Sequence, residues 1–334
     1  MKNAGFADAE PSPERPSAPV VSRRLLQELS VQDWLVFVYL VGLSYAVLQG
    51  ERNAVFADNL MRVGALFAYM IVGVLAVRAR LLPDGWFAAF LYRTAIYGPV
   101  QISYFFFRDI LPQVNPGVLD RELYELDMAV FGVEPAIWMD RFVTPLTTEW
   151  FAFFYFGYFF VLAVHVIPIL FFGKSQRVVA EFALGMLTVF CVGHTVYMLV
   201  PGYGPYRAMA DAFQSPFPTG MWLDLVMEAV NSGGAQKDIF PSLHTAGPTF
   251  IALFSVRHRQ RLPFRYTWPL VAIYSFNIII ATMFLRWHYL IDVVAGLLLA
   301  TAAILLVPRV VDFELARRAR LGLSPSWPEA EPRR

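Results

Sequence analysis

Two histidines and one aspartate have types and spacing suited to phosphoryl transfer. His288 and Asp292 are four residues apart at a predicted helix start, so their side chains share one face. A carboxylate bonded to one imidazole nitrogen fixes the tautomer and makes the other nitrogen a better nucleophile or base. His244 follows Pro241 and Ser242 at another predicted helix start. There it could act as a general acid and protonate a leaving oxygen.

Polar residues close to these segments could hold the phosphate. Ser242 can cap its helix, whose free first-turn N–H groups form a ready anion site. Arg207 stands just beyond a predicted span and can offer a bidentate fork to phosphate oxygens. Such donors match the charge on the equatorial oxygens of a phosphoryl transition state. The predicted phosphate-binding residues are Arg207, Ser242, Tyr206, Arg286 and Thr282.

These residues also have simpler interpretations. A histidine near a helix end is often an ordinary interfacial residue, and a His–Asp pair at spacing four can be a mere surface contact. An arginine just outside a span is most often an interfacial anchor. Histidines on two spans could ligate a b-type haem, but the sequence has no second such pair. Cys191 is the single cysteine, which excludes an internal disulfide or a cysteine metal cluster. We predict no metal and no cofactor.

The composition is that of a membrane protein. The 334 residues are 57% hydrophobic, with a mean hydropathy of +0.50. Only 16% are charged, whereas an ordinary soluble domain has about 25%. A net charge of +1 gives no basic field that would attract nucleic acid. Membrane lipids are therefore the predicted partners, and the oligomeric state stays open.

Apolar runs predict about eight transmembrane helices in an all-α polytopic bundle. They lie at 33–50, 60–77, 85–107, 150–172, 178–200, 242–256, 267–285 and 288–307. The 242–256 run is short and begins with polar residues. Residues 1–30, rich in Pro, Ser, Ala and charge, predict a disordered cytoplasmic tail and no cleaved signal peptide. Two additional N-terminal transmembrane helices follow at 31–80, then a six-helix catalytic core at 84–308 and a cytoplasmic tail at 309–334.

Basic residues alternate along the chain with the predicted spans. If the N-terminus is cytoplasmic, every short inside loop is basic, as the positive-inside rule requires. These residues are Arg23, Arg24, Arg78, Arg80, Lys174, Arg177, Arg257, Arg259, Arg261 and Arg265, with Arg309, Arg317, Arg318 and Arg320 in the tail. Both termini are then cytoplasmic. His244 and His288 share one depth on the extracytoplasmic face of what we predict to be the cell (inner) membrane.

Three features have no assigned role at this stage. The outer segment 108–149 has an amphipathic pattern suited to the interface, with Asp120, Glu122, Asp127, Trp138 and Asp140 among apolar residues. Arg93, deep in the third span, must face the protein interior or a polar cavity, where it could be structural or bind a lipid headgroup. The role of Arg108 stays open.

At these motifs the sequence resembles the type 2 phosphatidic acid phosphatase superfamily. Within it, the chain looks most like the inositolphosphotransferase branch, which contains the inositol phosphorylceramide synthases of sphingolipid metabolism. The second motif reads Pro-Ser-Leu-His at 241–244, with Leu in place of Gly. The third reads Thr282…His288-Tyr-Leu-Ile-Asp292, with Thr282 at the usual Arg position. The first is degenerate, Gly-Pro-Tyr-Arg at 204–207. The resemblance covers about residues 85–307.

The resemblance implies a reaction and a role for each residue. His288 attacks phosphorus to form a phosphohistidine, Asp292 orients it, and His244 protonates the departing alkoxide. The family's missing Lys and Arg favour a phosphodiester, and hence transfer of a phospho-headgroup between lipids. A lipid phosphate or polyprenyl diphosphate phosphatase is the alternative. A non-catalytic lipid-phosphate binder or transporter is more remote, because binding alone needs no Asp-oriented histidine opposite a second one.

Overall fold

The computed structural model describes residues 22–329, and within this range the chain is helical and forms no β-strand. The predicted all-α membrane bundle is therefore confirmed. In chain order the helices are α1 (Ser22–Glu28), α2 (Val31–Gln49), α3 (Phe56–Arg78), α4 (Trp86–Val114), α5 (Asp120–Phe131), α6 (Pro135–Met139), α7 (Pro145–Phe156), α8 (Tyr158–Phe172), α9 (Gln176–Leu199), α10 (Pro205–Ala208), α11 (Met221–Gly233), α12 (Leu243–Arg257), α13 (Phe264–Phe284) and α14 (Leu290–Leu321).

Each of the eight predicted spans coincides with a long helix or helix pair. Within the described range, six segments are long and apolar enough to cross a membrane: α2, α3, the α7–α8 pair, α9, α13 and α14. α12 has only 15 residues, and polar side chains such as Arg93 interrupt the apolar surface of α4. The count of eight therefore requires that α4 and α12 cross as well, which stays a prediction.

Two terminal segments pack more closely than the sequence predicts. The disordered tail is a wrong prediction for residues 22–30, since α1 forms there and the Ser30 N–H donates to the Asp33 carboxylate (2.8 Å). Residues 1–21 and 330–334 lie outside the described range. In the predicted tail at 309–334, α14 continues to Leu321, and the chain then folds back and buries Trp327 completely. The Arg78–Asp33 ion pair (2.8 Å), fully buried, joins α2 and α3 nearby.

Two arginines of α4 tie helices together. Arg93 is buried and donates from Nε to the Leu170 carbonyl near the end of α8 (2.6 Å). Arg108 donates to the Asn231 carbonyl of α11. Both contacts are to backbone oxygens, so the structure gives each arginine a packing role.

The centre of the bundle is α12, which contacts α9, α13 and α14. α14 approaches the start of α12 so closely that a Cβ on Gly296 would lie 2.5 Å from the Ser242 carbonyl oxygen. The Ser242 N–H in turn donates to the Asp292 carbonyl (3.0 Å). This close approach joins the two segments that carry the predicted catalytic residues.

Candidate active site

His288 lies in a short reversal between α13 and α14. The Trp287 N–H donates to the Thr282 carbonyl (2.9 Å), and the Arg286 N–H donates to the Met283 carbonyl (2.9 Å). With Arg286 at φ +66°, this is the Schellman pattern that ends a helix. The left-handed position usually holds glycine, so the arginine there needs support from its side chain. The cap fixes the loop that presents His288 immediately before α14.

The predicted His288–Asp292 pair is formed in the structure. His288 Nδ1 lies 3.4 Å from Asp292 Oδ2, at the long end of hydrogen-bonding range. The same oxygen accepts the Tyr289 N–H (2.9 Å) at the start of α14. Asp292 is fully buried and His288 almost so. The carboxylate is thus held by the backbone beside the imidazole.

His244 faces His288 from the first turn of α12. Ser242 caps this helix, since its Oγ accepts the Thr245 N–H (3.2 Å). The two imidazole rings are 6.3 Å apart, centroid to centroid. His244 is also stacked on Tyr155 (4.4 Å) and packed against Tyr158 (4.2 Å), so aromatic contacts hold its ring. The spacing leaves room for a phosphoryl group to contact both rings.

The two histidines open into a cavity of about 270 Å³. Most of its wall is aromatic or otherwise apolar, and no described residue that lines it is a lysine or an arginine. The aromatic lining residues are Tyr104, Phe105, Tyr155, Phe156, Phe159, Tyr203, Tyr206 and Trp287. A site for a dianionic phosphate would be expected to present cations.

Two of the predicted phosphate-binding residues lie at or near this cavity. Tyr206 lines it and packs on Trp287, with ring centroids 4.4 Å apart. Arg207 is exposed and places its guanidinium over the ring of Tyr203 (3.9 Å), which also lines the cavity. Arg207 therefore stands at the rim and does not line the cavity.

The other three predicted phosphate-binding residues do not line it. Arg286 forms a nearly buried ion pair with Asp140 (2.7 Å) and lies over the ring of Phe213. Thr282 donates its hydroxyl to the Ile279 carbonyl of its own helix (2.7 Å), and the Ser242 hydroxyl is used as a cap. The side chains of all three are therefore used in contacts within the protein. None of them lines the cavity in which phosphate binding is predicted.

Acidic residues of segment 108–149 hold the loops around the site. The sequence analysis did not predict this role. The predicted interfacial position suits Glu122 and Trp138, which are exposed, but Asp120, Asp127 and Asp140 are buried. Each of these three accepts two or more backbone N–H bonds from distant loops or helix starts. The donors are Tyr203 and Gly204 for Asp120, Leu290 and Ile291 for Asp127, and Gln214 and Ser215 for Asp140. The acidic residues were visible in the sequence, but their backbone partners are far away along the chain.

Asp238 is a second omission from the predicted site. It lines the cavity, and its Oδ2 accepts a hydrogen bond from the Tyr104 hydroxyl (2.9 Å). Burial raises the pKa of this carboxyl group. Its neighbour Lys237 is turned away and donates to three backbone carbonyls of residues 115–117. An acid six residues before His244 was the only sequence signal.

The electrostatics favour a neutral His288. Burial in the loop between α13 and α14 lowers the pKa of His288 to about 4, and the Asp238 carboxylate only partly opposes this shift. The imidazole therefore carries a free lone pair at neutral pH, as a nucleophile must. Among the described residues, no group of three or more His, Cys, Asp or Glu side chains could hold a metal ion.

Comparison with known proteins gives one match. A family model described as the PAP2 superfamily matches residues 121–306, more than half of the chain. The matched range contains His244, His288 and Asp292 and the loops that surround them. No curated protein and no solved structure matches the chain.

Proposed function

Because the chain belongs to the PAP2 superfamily, we propose that it is a membrane enzyme that transfers a phospho-headgroup from one lipid to another. Membership supports a lipid phosphatase or phosphotransferase type of function in general. The observation that carries the finer proposal is the cavity, where two histidines face each other and no lysine or arginine of the described chain lines the wall. The motif forms also favour the inositolphosphotransferase-like branch, with a sphingolipid hydroxyl as a possible acceptor.

The proposed reaction has two half-steps. In the first, the free imidazole nitrogen of His288 forms a bond to phosphorus while the bond from phosphorus to the lipid oxygen breaks. Protonated His244 gives its proton to that oxygen, and a lipid alcohol leaves. In the second, the acceptor hydroxyl loses its proton to His244, its oxygen bonds to phosphorus, and the N–P bond of the phosphohistidine breaks. Asp292 keeps the His288 tautomer and orientation throughout.

Donors other than cations are available for the phosphate oxygens. The buried indole N–H of Trp287 has no hydrogen-bond partner among the described residues, and Trp287 lines the cavity beside His288. Tyr206 supplies a hydroxyl on the same wall. Neutral donors suit a phosphodiester, which has a single negative charge at phosphorus. A monoester phosphatase is the second candidate, and Arg207 at the rim favours it if its guanidinium turns inwards.

Mass spectrometry of membrane lipids tests the function. Cells that express the wild-type chain should be compared with cells that express His288→Ala. Transfer predicts loss of one phosphodiester lipid and equal gains of its lipid alcohol and of a new lipid with the same headgroup. Hydrolysis predicts a lipid alcohol without the new lipid. A lipid profile that does not depend on His288 would contradict both enzymatic proposals.

The pH profile should show the low pKa of His288. Its nucleophilic form is lost only as the pH falls through about 4. We therefore expect no loss of kcat/KM as the pH falls from about 7 to 5.5, where a histidine of ordinary pKa, about 6.5, would lose about nine-tenths of its free base. Steady-state kinetics in detergent measures this. A fall in kcat/KM below about pH 6.5 would show that the pKa of His288 is not lowered in this way.

The proposed topology places the cavity on the extracytoplasmic face of the cell (inner) membrane, with both termini in the cytoplasm. With the buried Cys191 replaced (Cys191→Ser), reporter cysteines are introduced singly by Gln214→Cys and Gln260→Cys. An impermeant thiol reagent on intact cells should label the first position and spare the second. The reverse pattern would invert the topology, and labelling at both positions would mean that α12 does not cross.

A further inference from the structure

The described lining of the active-site cavity contains one carboxylic acid and no lysine or arginine. Among the described residues that line the cavity, Asp238 is the only aspartate or glutamate, and His244 and His288 are the only side chains that can become cations. Its carboxylate has no lysine or arginine partner in the described chain, since Lys237 donates to backbone carbonyls elsewhere. Asp238 and His288 line the same cavity and interact electrostatically.

A substrate that carries only negative charge would be poorly suited to this cavity. A phosphodiester at His288 would add a second negative charge beside Asp238, in a wall that is largely apolar. Two like charges repel strongly where the effective dielectric constant is low. His244, protonated as the proposed reaction requires, balances one of these two charges. An ionised Asp238 then leaves the occupied site short of one cation, which no other described lining residue supplies.

The aromatic side chains around Asp238 are suited to receive a cation. Tyr104 donates to its carboxylate, and Tyr155 and Tyr206 line the same cavity. Ring faces attract ammonium groups, and aromatic walls with a carboxylate are a common way of binding them. One ring of this cavity already carries a cation on its face, since the Arg207 guanidinium lies 3.9 Å above the centroid of Tyr203.

We propose that the cavity receives a phospholipid whose headgroup carries an ammonium group, with the phosphate at His288 and the ammonium at Asp238 and the surrounding tyrosines. This inference rests on the proposed function, because it assumes that a phosphodiester binds at His288. An ethanolamine-type headgroup has only two carbons between its phosphate oxygen and its nitrogen, which matches two sites within one small cavity. A neutral polyol headgroup, including the inositol that the motif forms suggest, would bring no positive charge to Asp238, so on this point the inference departs from the inositolphosphotransferase-like branch.

Binding to a variant without chemistry tests the headgroup directly. Purified full-length His288→Ala is titrated by calorimetry with glycerophosphocholine and with glycerophosphoglycerol, which share a phosphodiester and differ in the ammonium. We expect glycerophosphocholine to bind at least about tenfold more tightly. Adding Asp238→Asn, which keeps a hydrogen-bond acceptor for Tyr104, should reduce the ratio to within about twofold. Asp211→Asn, the same change at an exposed position between α10 and α11, is the matched control.

The outcomes separate this inference from the proposed function. Equal affinity for the two probes, or tighter binding of glycerophosphoglycerol or glycerophosphoinositol, overturns the ammonium inference. That comparison needs no Asp238 variant, so it holds even if Asp238→Asn does not fold. Turnover by the wild-type chain is then measured with the corresponding lipids. His288-dependent transfer without ammonium preference leaves the proposed function intact, whereas ammonium-selective binding without any His288-dependent turnover contradicts the proposed function alone.

Discussion

His288→Ala is expected to lower turnover by at least about 10³-fold while the chain still inserts in the membrane. The substitution removes the atom that would bond to phosphorus, and no other described nucleophile shares the cavity with the same Asp292 support. A donor lipid with a radioactive phosphate should label the wild-type chain transiently, and the label should be lost in acid and kept in alkali, as for a phosphoramidate. His288→Ala should take up no label.

His165→Ala is the matched control for this prediction. The residue is a histidine of α8 that bonds its own helix through the Val161 carbonyl (2.8 Å) and does not line the active-site cavity. It should keep turnover within about twofold, as expected for a change away from the chemistry. If His288→Ala kept more than about a tenth of wild-type activity, the covalent mechanism would be wrong.

His244→Ala should lower turnover on natural lipids by about 10²–10⁴-fold, the usual contribution of a general acid or base. The loss should shrink strongly with a nitrophenyl phosphodiester, because a good leaving group departs without a proton. His288→Ala should show no such recovery. Comparing both variants on both donors by initial rates therefore separates the acid from the nucleophile.

A second variant separates the loss of the His244 proton from the loss of its aromatic contacts. His244 is held between Tyr155 and Tyr158, so His244→Ala also removes aromatic contacts. His244→Phe keeps a ring in that place but cannot give a proton. We expect the same loss for both variants on the lipid donor. Equal losses on the lipid and on the nitrophenyl donor would show that His244 has another role.

Local patterns in the sequence determined the class of this protein and the segments that hold its candidate catalytic residues. Hydrophobic runs depend on neighbouring residues, so they predicted the all-α bundle and the place of every long helix. His288 and Asp292 are only four residues apart at the start of α14, so a local pattern could pair them. The motifs predicted the superfamily, which the match to residues 121–306 confirms. The inositolphosphotransferase-like branch, the sidedness and the roles of the site residues stay predictions.

Tertiary structure alone decided what surrounds those residues. Tyr104 from α4, Tyr155 from α7 and Asp238 from a loop line one cavity, although 50 residues lie between the two tyrosines and 82 between Tyr155 and Asp238. Arg286 had the right charge and position for phosphate, yet it pairs with Asp140, 146 residues away. Such contacts depend on how helices pack and on which buried backbone groups need a partner, and neither is encoded in a local pattern. Sequence spacing could therefore single out two candidate catalytic histidines, but only packing could show that the described cavity wall around them carries one carboxylic acid and no lysine or arginine.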